Sequence, residues 1–166
     1  RARGWAVELT EEATAWFTKE GRAWLARKAP LDAMLAQAKA AEDKKDFALA
    51  VQLRGERLPK LVALYGHEQH PRVRDARDAL MTARDQYADA LAKAADYAAA
   101  LPQYQAMLQH LEATGRGDTP RAATAVTDVA GTLSQLSRYA EALPLYRRAL
   151  AIAEKAQGPE HPSTGT

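Results

Sequence analysis

RYAEALPLY, residues 138–146, follows the same pattern as DYAAALPQY, residues 96–104, and the two stretches begin 42 residues apart. The same distance separates Pro120 from Pro162. A fixed period of this size is typical of repeat architectures, in which each unit buries its apolar face only against its neighbours. The sequence therefore predicts a stack of similar units, and with it a binding surface rather than a reaction centre.

The composition favours helices along the whole chain. Of the 166 residues, 47% are hydrophobic and 27% are charged, but alanine supplies much of the apolar share and aromatic residues only 7%. Alanine has the highest helix propensity of all residues. No stretch alternates β-branched and polar residues as a half-buried strand does. We therefore predict an all-α fold.

Charge and cysteine content exclude several classes of protein. The net charge is only +2 with both signs interspersed, whereas nucleic-acid binding needs a concentrated basic face. The chain has no cysteine, which excludes disulfides and thiolate metal sites. No apolar stretch approaches the roughly eighteen residues of a membrane span. We predict no nucleic-acid or membrane partner and a cytoplasmic location, and the absence of asparagine and the excess of arginine over lysine favour a bacterial source.

Each repeat is predicted to be a pair of antiparallel helices, A and then B. In repeat 3, residues 120–161, helix A begins at Pro120, where Thr119 provides an N-cap hydroxyl, and helix B begins at Tyr139. In repeat 2, residues 72–119, helix A is about two turns longer, and helix B is predicted over residues 97–113. In the last helix the residues predicted to face neighbouring helices are Ala142, Leu143, Tyr146, Ala149, Leu150 and Ile152.

The N-terminal part departs from this pattern. Repeat 1, residues 31–71, is degenerate, with helices predicted over residues 31–44 and 46–65 and a kink or split at Pro59. Residues 1–30 do not match the repeat; they are predicted to hold a separate helix from Thr10 to Lys28, and they contain all three tryptophans. This segment is either a cap on the exposed apolar end of the stack or a docking surface for another domain or protein.

The motifs of repeat 3 resemble those of tetratricopeptide repeats, in particular the 42-residue variety found in kinesin light chain and in bacterial multidomain signalling proteins. Around the turn between its helices that family reads GRYxEAxxLYxxAL, and this chain reads SRYAEALPLYRRAL at residues 137–150. The closing GPxHP of the family stands at residues 158–162. The resemblance implies an α-solenoid of antiparallel helix pairs that winds as a right-handed superhelix. Residues 162–166 resemble the opening of a further repeat, which predicts that the chain is a fragment of a longer protein.

The resemblance also implies that small residues stand where helices cross closely and that aromatic residues recur in helix B. The residues at these structural positions are Ala88, Tyr97, Ala100, Tyr104, Ala130, Tyr139, Ala142 and Tyr146.

In the family the A helices line a concave surface that often holds a peptide. The residues that the resemblance assigns to this surface are Thr82, Asp85, Gln86, Asp89, Thr124, Thr127, Asp128, Gly131 and Gln135. Asp85 and Asp89 are four residues apart and share a helix face, so we predict a polar, acidic groove suited to a basic or hydroxyl-rich segment. The alternative is an ordinary solvated helix face. The asparagines with which many relatives bond a peptide backbone are missing, since residues 127–130 read TDVA.

The sequence offers no constellation for catalysis. It has no phosphate-binding loop, nucleophile elbow or dinucleotide fingerprint. His67 and His70 are three residues apart in a predicted loop, unlike the HExxH helix of metalloproteases. We therefore predict no metal, no cofactor and no enzyme activity. The predicted function is a scaffold that binds a protein, a peptide or another domain of the same chain; the alternative is a regulatory segment of a larger bacterial signalling enzyme, such as a kinase, a nucleotide-binding ATPase or a caspase-like protease.

Overall fold

The computed structural model describes residues 19–157, and every regular element in this range is an α-helix. The six helices are α1 (Lys19–Asp43), α2 (Phe47–Tyr65), α3 (Pro71–Lys93), α4 (Tyr97–Ala113), α5 (Pro120–Gln135) and α6 (Tyr139–Gln157). The predicted all-α helical-repeat fold is confirmed. Residues 1–18, with Trp5 and Trp16 and the predicted helix start at Thr10, lie outside the described range.

Turn and cap residues explain why the helices begin where they do. Asp46 and Asp96 accept hydrogen bonds from the backbone N–H groups of Leu49 and Ala99 at 3.2 and 3.1 Å. Thr119 does the same for Ala122 at 3.3 Å, directly before Pro120. These side chains satisfy donors that a helix leaves unpaired at its first turn. Helices α4 and α5 accordingly begin at the residues that the sequence predicts, and α6 also begins at the predicted Tyr139.

The same turn joins the two helices of each hairpin. Lys45, Ala95 and Ser137 adopt positive φ angles of 61°, 61° and 60°. In each turn the next backbone N–H bonds back to a carbonyl five residues earlier, as in Asp46 N to Ala41 O at 2.8 Å and Arg138 N to Leu133 O at 2.9 Å. This pattern is the Schellman motif, which ends a helix with one left-handed residue. Three hairpins therefore turn in the same way with three different side chains.

The chain divides into two compact units, with the boundary inside α3 between Leu80 and Met81. In the first unit α1 packs against α2 around a small core of Leu31, Leu61 and Val73. Arg54 of α2 forms a two-bond ion pair with Glu42 of α1 at 2.7 and 2.8 Å.

In the second unit α5 packs against both α4 and α6. Its larger core includes Leu101, Leu108 and Val126, and the C-terminal part of α3 joins this core through Ala88. Helices α1, α4 and α5 thus each pack against the helix that follows in sequence, as expected for a helical repeat.

The prediction of two separate helices around Lys28 and Leu31 is wrong, because α1 is continuous from Lys19 to Asp43 with Pro30 inside it. A proline in a helix interior costs about 3 kcal/mol and removes one hydrogen bond. Here Leu31, directly after the proline, is buried against Leu61, and its carbonyl accepts a hydrogen bond from Arg57 Nε at 2.8 Å. Tertiary packing therefore holds the helix together where local sequence predicts an end.

Two further findings complete the fold. Helix α2 is likewise continuous, so Pro59 does not split it. Within residues 19–157, none of the helices combines the length and the apolar character that crossing a bilayer requires.

Candidate partner-binding surface

Three carboxylates from two helices form the most unusual polar feature of the second unit. Asp85 and Asp89 lie one turn apart on α3, and Asp128 lies on α5. Burial and, after it, the negative charges of Asp85 and Asp89 together raise the pKa of Asp128 to about 6. We call these three residues the acidic cluster.

The charge balance of the acidic cluster is unfavourable in the isolated chain. Burial also raises the pKa of Asp85, and Asp89 adds to the rise, while Arg121 at the start of α5 opposes it. Like charges held near one another and partly withdrawn from water disfavour the ionised form. A cation placed among these carboxylates would therefore interact with more than one of them.

Tyr104 anchors the acidic cluster to the core. Its hydroxyl donates to Asp89 Oδ1 at 2.7 Å, and its ring is buried. Burial and this hydrogen bond both raise the pKa of the phenol, so Tyr104 stays protonated and remains a donor. The hydrogen bond from the buried Tyr104 thus fixes the orientation of Asp89, whose side chain remains exposed.

An open groove lies between α5 and α6, next to the acidic cluster. Its volume is about 570 Å³, and Asp128 brings a carboxylate to an otherwise mainly apolar lining. The lining residues are Pro120, Ala123, Thr124, Thr127 and Asp128 from α5, and Tyr146, Ala149, Leu150 and Ala153 from α6. We call this feature the α5/α6 groove.

Large apolar side chains continue from the groove along α6. Tyr139, Leu143, Tyr146 and Leu150 follow one another at steps of four, three and four residues, which places them on one helix face. All four are exposed, and we call them the α6 stripe. Of the α6 residues predicted to face neighbouring helices, Ala142, Ala149 and Ile152 are buried. Leu143, Tyr146 and Leu150 are instead exposed among the described residues, although Tyr146 and Leu150 line the groove with α5.

The structure brings together only part of the predicted binding set. Thr124 and Thr127 line the groove with Asp128, but their hydroxyls donate to the carbonyls of Pro120 and Ala123 in their own helix, at 3.3 and 2.9 Å. The remaining members lie on the same two helices: Thr82 and Gln86 are exposed on α3, Gln135 is exposed at the end of α5, and Gly131 is half-buried.

The predicted structural positions divide into two groups. The alanines are buried almost completely: Ala88, Ala100, Ala130 and Ala142. Of the four tyrosines, Tyr104 is buried and Tyr97 is half-buried, whereas Tyr139 and Tyr146 belong to the exposed stripe.

Sequence reasoning missed the bond between Tyr104 and Asp89 and the groove. The 42-residue offset contains a signal for the bond between Tyr104 and Asp89, because it pairs Tyr104 with Tyr146 and Asp89 with Gly131. The last repeat thus has the tyrosine without the carboxylate, and a side chain added at Gly131 would meet the Tyr146 hydroxyl at 3.6 Å.

His70 has a role in local structure. His70 stacks on Tyr65 with ring centroids 4.0 Å apart, and its Nδ1 accepts a hydrogen bond from the N–H of Arg72 at 3.2 Å, in the first turn of α3. In the described part of the chain no group of three or more histidine, aspartate or glutamate side chains is arranged to hold a metal ion.

Comparison with known proteins gives one family. A family model described as tetratricopeptide repeat matches the chain at residues 78–155 and again at residues 121–166. The two matches together span more than half of the chain, and they include all of α5 and the part of α3 that carries Asp85 and Asp89. No curated protein sequence gives a significant match.

Proposed function

Because this chain belongs to the tetratricopeptide repeat family, we propose that it is a protein-interaction module that binds a peptide or a neighbouring domain on its helix-A surface. This surface consists of the exposed sides of α5 and of the part of α3 after Met81, and in relatives it is concave. Repeats of this family generally mediate contacts between proteins, so the family and the exposed polar residues support the same conclusion.

The acidic cluster is the observation that carries the proposal. Asp85 and Asp128 are half-buried, and their pKa values are raised first by burial and then by the negative charges of other carboxylates in the cluster. A lysine or arginine of a ligand would remove this repulsion and gain charge-assisted hydrogen bonds. The ligand that fits best is therefore a basic segment.

The test compares two peptides of equal length and apolar content, one with lysine and arginine and one with glutamate at the same positions. We expect the chain to bind the basic peptide and not the acidic one. Asp85→Asn together with Asp128→Asn should weaken binding of the basic peptide about tenfold, equivalent to about 1.4 kcal/mol. These two changes remove charge while leaving Asp89 and its bond to Tyr104 in place.

Asp75→Asn is the matched control, because Asp75 is an exposed carboxylate of α3 outside the acidic cluster. Its affinity for the basic peptide should be that of the unchanged chain. Fluorescence anisotropy at two salt concentrations measures the affinity of the unchanged chain for both peptides, and of the double variant and the control for the basic peptide. Higher salt should weaken the contact between the acidic cluster and the basic peptide. Equal binding of acidic and basic peptides, or no loss in the double variant, would contradict the proposal.

We also propose that the repeats are of the 42-residue variety and divide the chain at residues 31–71, 72–119 and 120–161. The starts of α4 at Tyr97 and α6 at Tyr139 are 42 residues apart, which supports this variety. A bacterial signalling context and a cytoplasmic location remain predictions from composition and resemblance. Regulation of a larger signalling enzyme is the second candidate, and the coding sequence around this segment would test it by containing a catalytic domain or not.

A further inference from the structure

His70 occupies the capping position of helix α3. It stands directly before Pro71, the first residue of that helix, as Thr119 stands directly before Pro120 of α5. Its Nδ1 accepts a hydrogen bond from the backbone N–H of Arg72 at 3.2 Å. A side-chain acceptor at this position satisfies a donor that the first turn of a helix leaves unpaired. Helices α2, α4 and α5 use the same arrangement, but their acceptors are oxygens of aspartate or threonine.

The imidazole differs from the other capping groups because histidine changes its charge near neutral pH. The ordinary titration of this residue type falls between about pH 5 and about pH 8. A neutral imidazole has one nitrogen that accepts a hydrogen bond, whereas both nitrogens of the protonated ring are donors. Protonation of His70 therefore removes the acceptor that Arg72 uses. It also leaves a positive charge at the N-terminus of α3, where the helix dipole opposes a cation.

The backbone of His70 connects this cap to the small core of the first unit. Its carbonyl accepts hydrogen bonds from the N–H groups of Val73 and Arg74 at 2.9 and 3.0 Å. Val73 lies in the first turn of α3 and is completely buried in the core with Leu31 and Leu61. The cap and the core therefore depend on the same turn of helix, and fraying of that turn would expose Val73 to water.

Aromatic contacts fix the orientation of the imidazole. The ring stacks on Tyr65 at the end of α2, with centroids 4.0 Å apart and planes inclined by 14°. Trp24 of α1 meets the Tyr65 ring edge-on at 6.2 Å, and the His67 ring lies 5.7 Å from that of His70. A protonated imidazole could still stack on Tyr65, because the face of an aromatic ring attracts cations. The contact that protonation breaks is thus the hydrogen bond from Arg72.

The charged surroundings of His70 do not replace this hydrogen bond. The charged and titratable groups that contact His70, its ring neighbours or its loop are Lys28 on α1, Arg57 and Tyr65 on α2, His67 and Glu68 in the loop, and Arg72, Arg74 and Arg77 on α3. Glu68 is the one carboxylate of this set, and it already accepts a hydrogen bond from Arg77 Nη2 at 3.1 Å. A cation at His70 would therefore meet mainly basic side chains.

We propose that His70 is a proton-sensitive cap that couples the start of α3 to the core of the first unit. At neutral pH the imidazole accepts the hydrogen bond from Arg72 and holds the first turn, with Val73, in place. As the pH falls, protonation removes this bond and the first turn of α3 frays. The inference concerns the first unit and does not require that the helix-A surface binds a peptide.

Amide hydrogen exchange of the whole chain, followed by NMR, tests the proposal at the residues concerned. The protection factors of Arg72, Val73 and Arg74, which are corrected for the intrinsic effect of pH on exchange, are compared at about pH 7.5 and about pH 5.5, on either side of the ordinary titration of histidine. We expect them to fall about fivefold or more in acid, because local opening controls their exchange. Amides in the middle of α2 are the internal reference and should change less than about twofold.

Substitutions of His70 by residues that cap other helices of this chain isolate the imidazole. Threonine caps α5 and aspartate caps α2 and α4, and neither residue type ordinarily takes up a proton above about pH 5. His70→Thr and His70→Asp should therefore keep the first turn protected, with less than about a twofold change between the two pH values. His67→Gln is the matched control, because it removes the exposed imidazole of the same loop. This control should show the same fall in protection as the unchanged chain.

Asp128 titrates in the same pH range but does not confuse this test. Its pKa is about 6, yet it lies in the second unit and is present in every variant, so any contribution that it makes appears in all of them.

Three outcomes would overturn the inference. They are an unchanged protection of the first turn in acid, an equal fall in the unchanged chain and in both His70 variants, and loss of the fall in His67→Gln. The second result would assign the acid sensitivity to a group other than the cap, and the third would assign it to His67.

Discussion

Helices α4 and α6 can be compared directly, because they share residues at positions 42 apart while their surroundings differ. Leu108 is buried because α5 lies against it, while Leu150, its equivalent, faces outward. The apolar pattern of a repeat is therefore a property of its sequence, whereas its burial is a property of its neighbour. In a stacked protein, each helix carries an interface on both sides whether or not the second side is occupied.

Shortening Leu108 of α4 and Leu150 of α6 should give the largest difference in the free energy of unfolding. Leu108→Ala should lower the free energy of unfolding by about 2–5 kcal/mol, because it removes a buried side chain and leaves a cavity. Leu150→Ala should change it by about 0.5 kcal/mol or less, because that side chain is exposed. Urea denaturation of both variants measures the difference, and equal losses would mean that Leu150 is also covered in solution.

The paired tyrosines should give a smaller difference. Tyr104→Phe removes the hydroxyl that donates to Asp89, with an expected loss of about 1 kcal/mol. Tyr146→Phe should be nearly neutral, because Gly131 stands where the middle repeat has this aspartate. A loss of the same size in both variants would show that the hydroxyl acts through something other than the carboxylate.

Neutralising Asp128 should have an effect that depends on pH and falls to zero in acid. Its pKa is about 6 in the folded chain and near 3.8 when unfolded, so its favourable contribution is complete below about pH 3.8 and is lost as the pH rises through 6. Such a shift corresponds to roughly 3 kcal/mol at full strength, and screening of the half-exposed side chain reduces this to about 1 kcal/mol. Asp128→Asn should therefore stabilise the chain by about 1 kcal/mol above pH 7.

The pH profile provides the control for this last prediction. Denaturation midpoints of the variant and the unchanged chain should converge as the pH falls from 7 to 4, since Asp128 is then protonated. A constant difference over this range would mean that the substitution acts through packing instead of charge.

The comparison also explains what the sequence could reveal. The starts of α4 and α5 follow from local chemistry, because the capping residues Asp96 and Thr119 mark them, and the start of α6 follows from the 42-residue repeat. The continuity of α1 through Pro30 does not, because it depends on packing of Leu31 against a helix that follows later. Likewise, the pairing of Asp85 with Asp89 follows from helix spacing, but the approach of Asp128 requires the fold.

The exposure of the α6 stripe marks a further limit. Periodicity identifies which residues share a face, and Leu143 and Leu150 share one with Tyr146. It carries no information on whether another helix lies against that face. The open groove was therefore beyond sequence reasoning, although the residues that line it from α5 were among those predicted to bind.

The three hairpin turns have a consequence for engineering. Lys45, Ala95 and Ser137 all hold the left-handed conformation, which costs a residue with a side chain roughly 1–2 kcal/mol and costs glycine almost nothing. The flanking helices thus impose the turn on residues that resist it. Glycine at all three positions should raise the thermal stability of the chain and could offset destabilising changes elsewhere, without altering the acidic cluster or the α6 stripe.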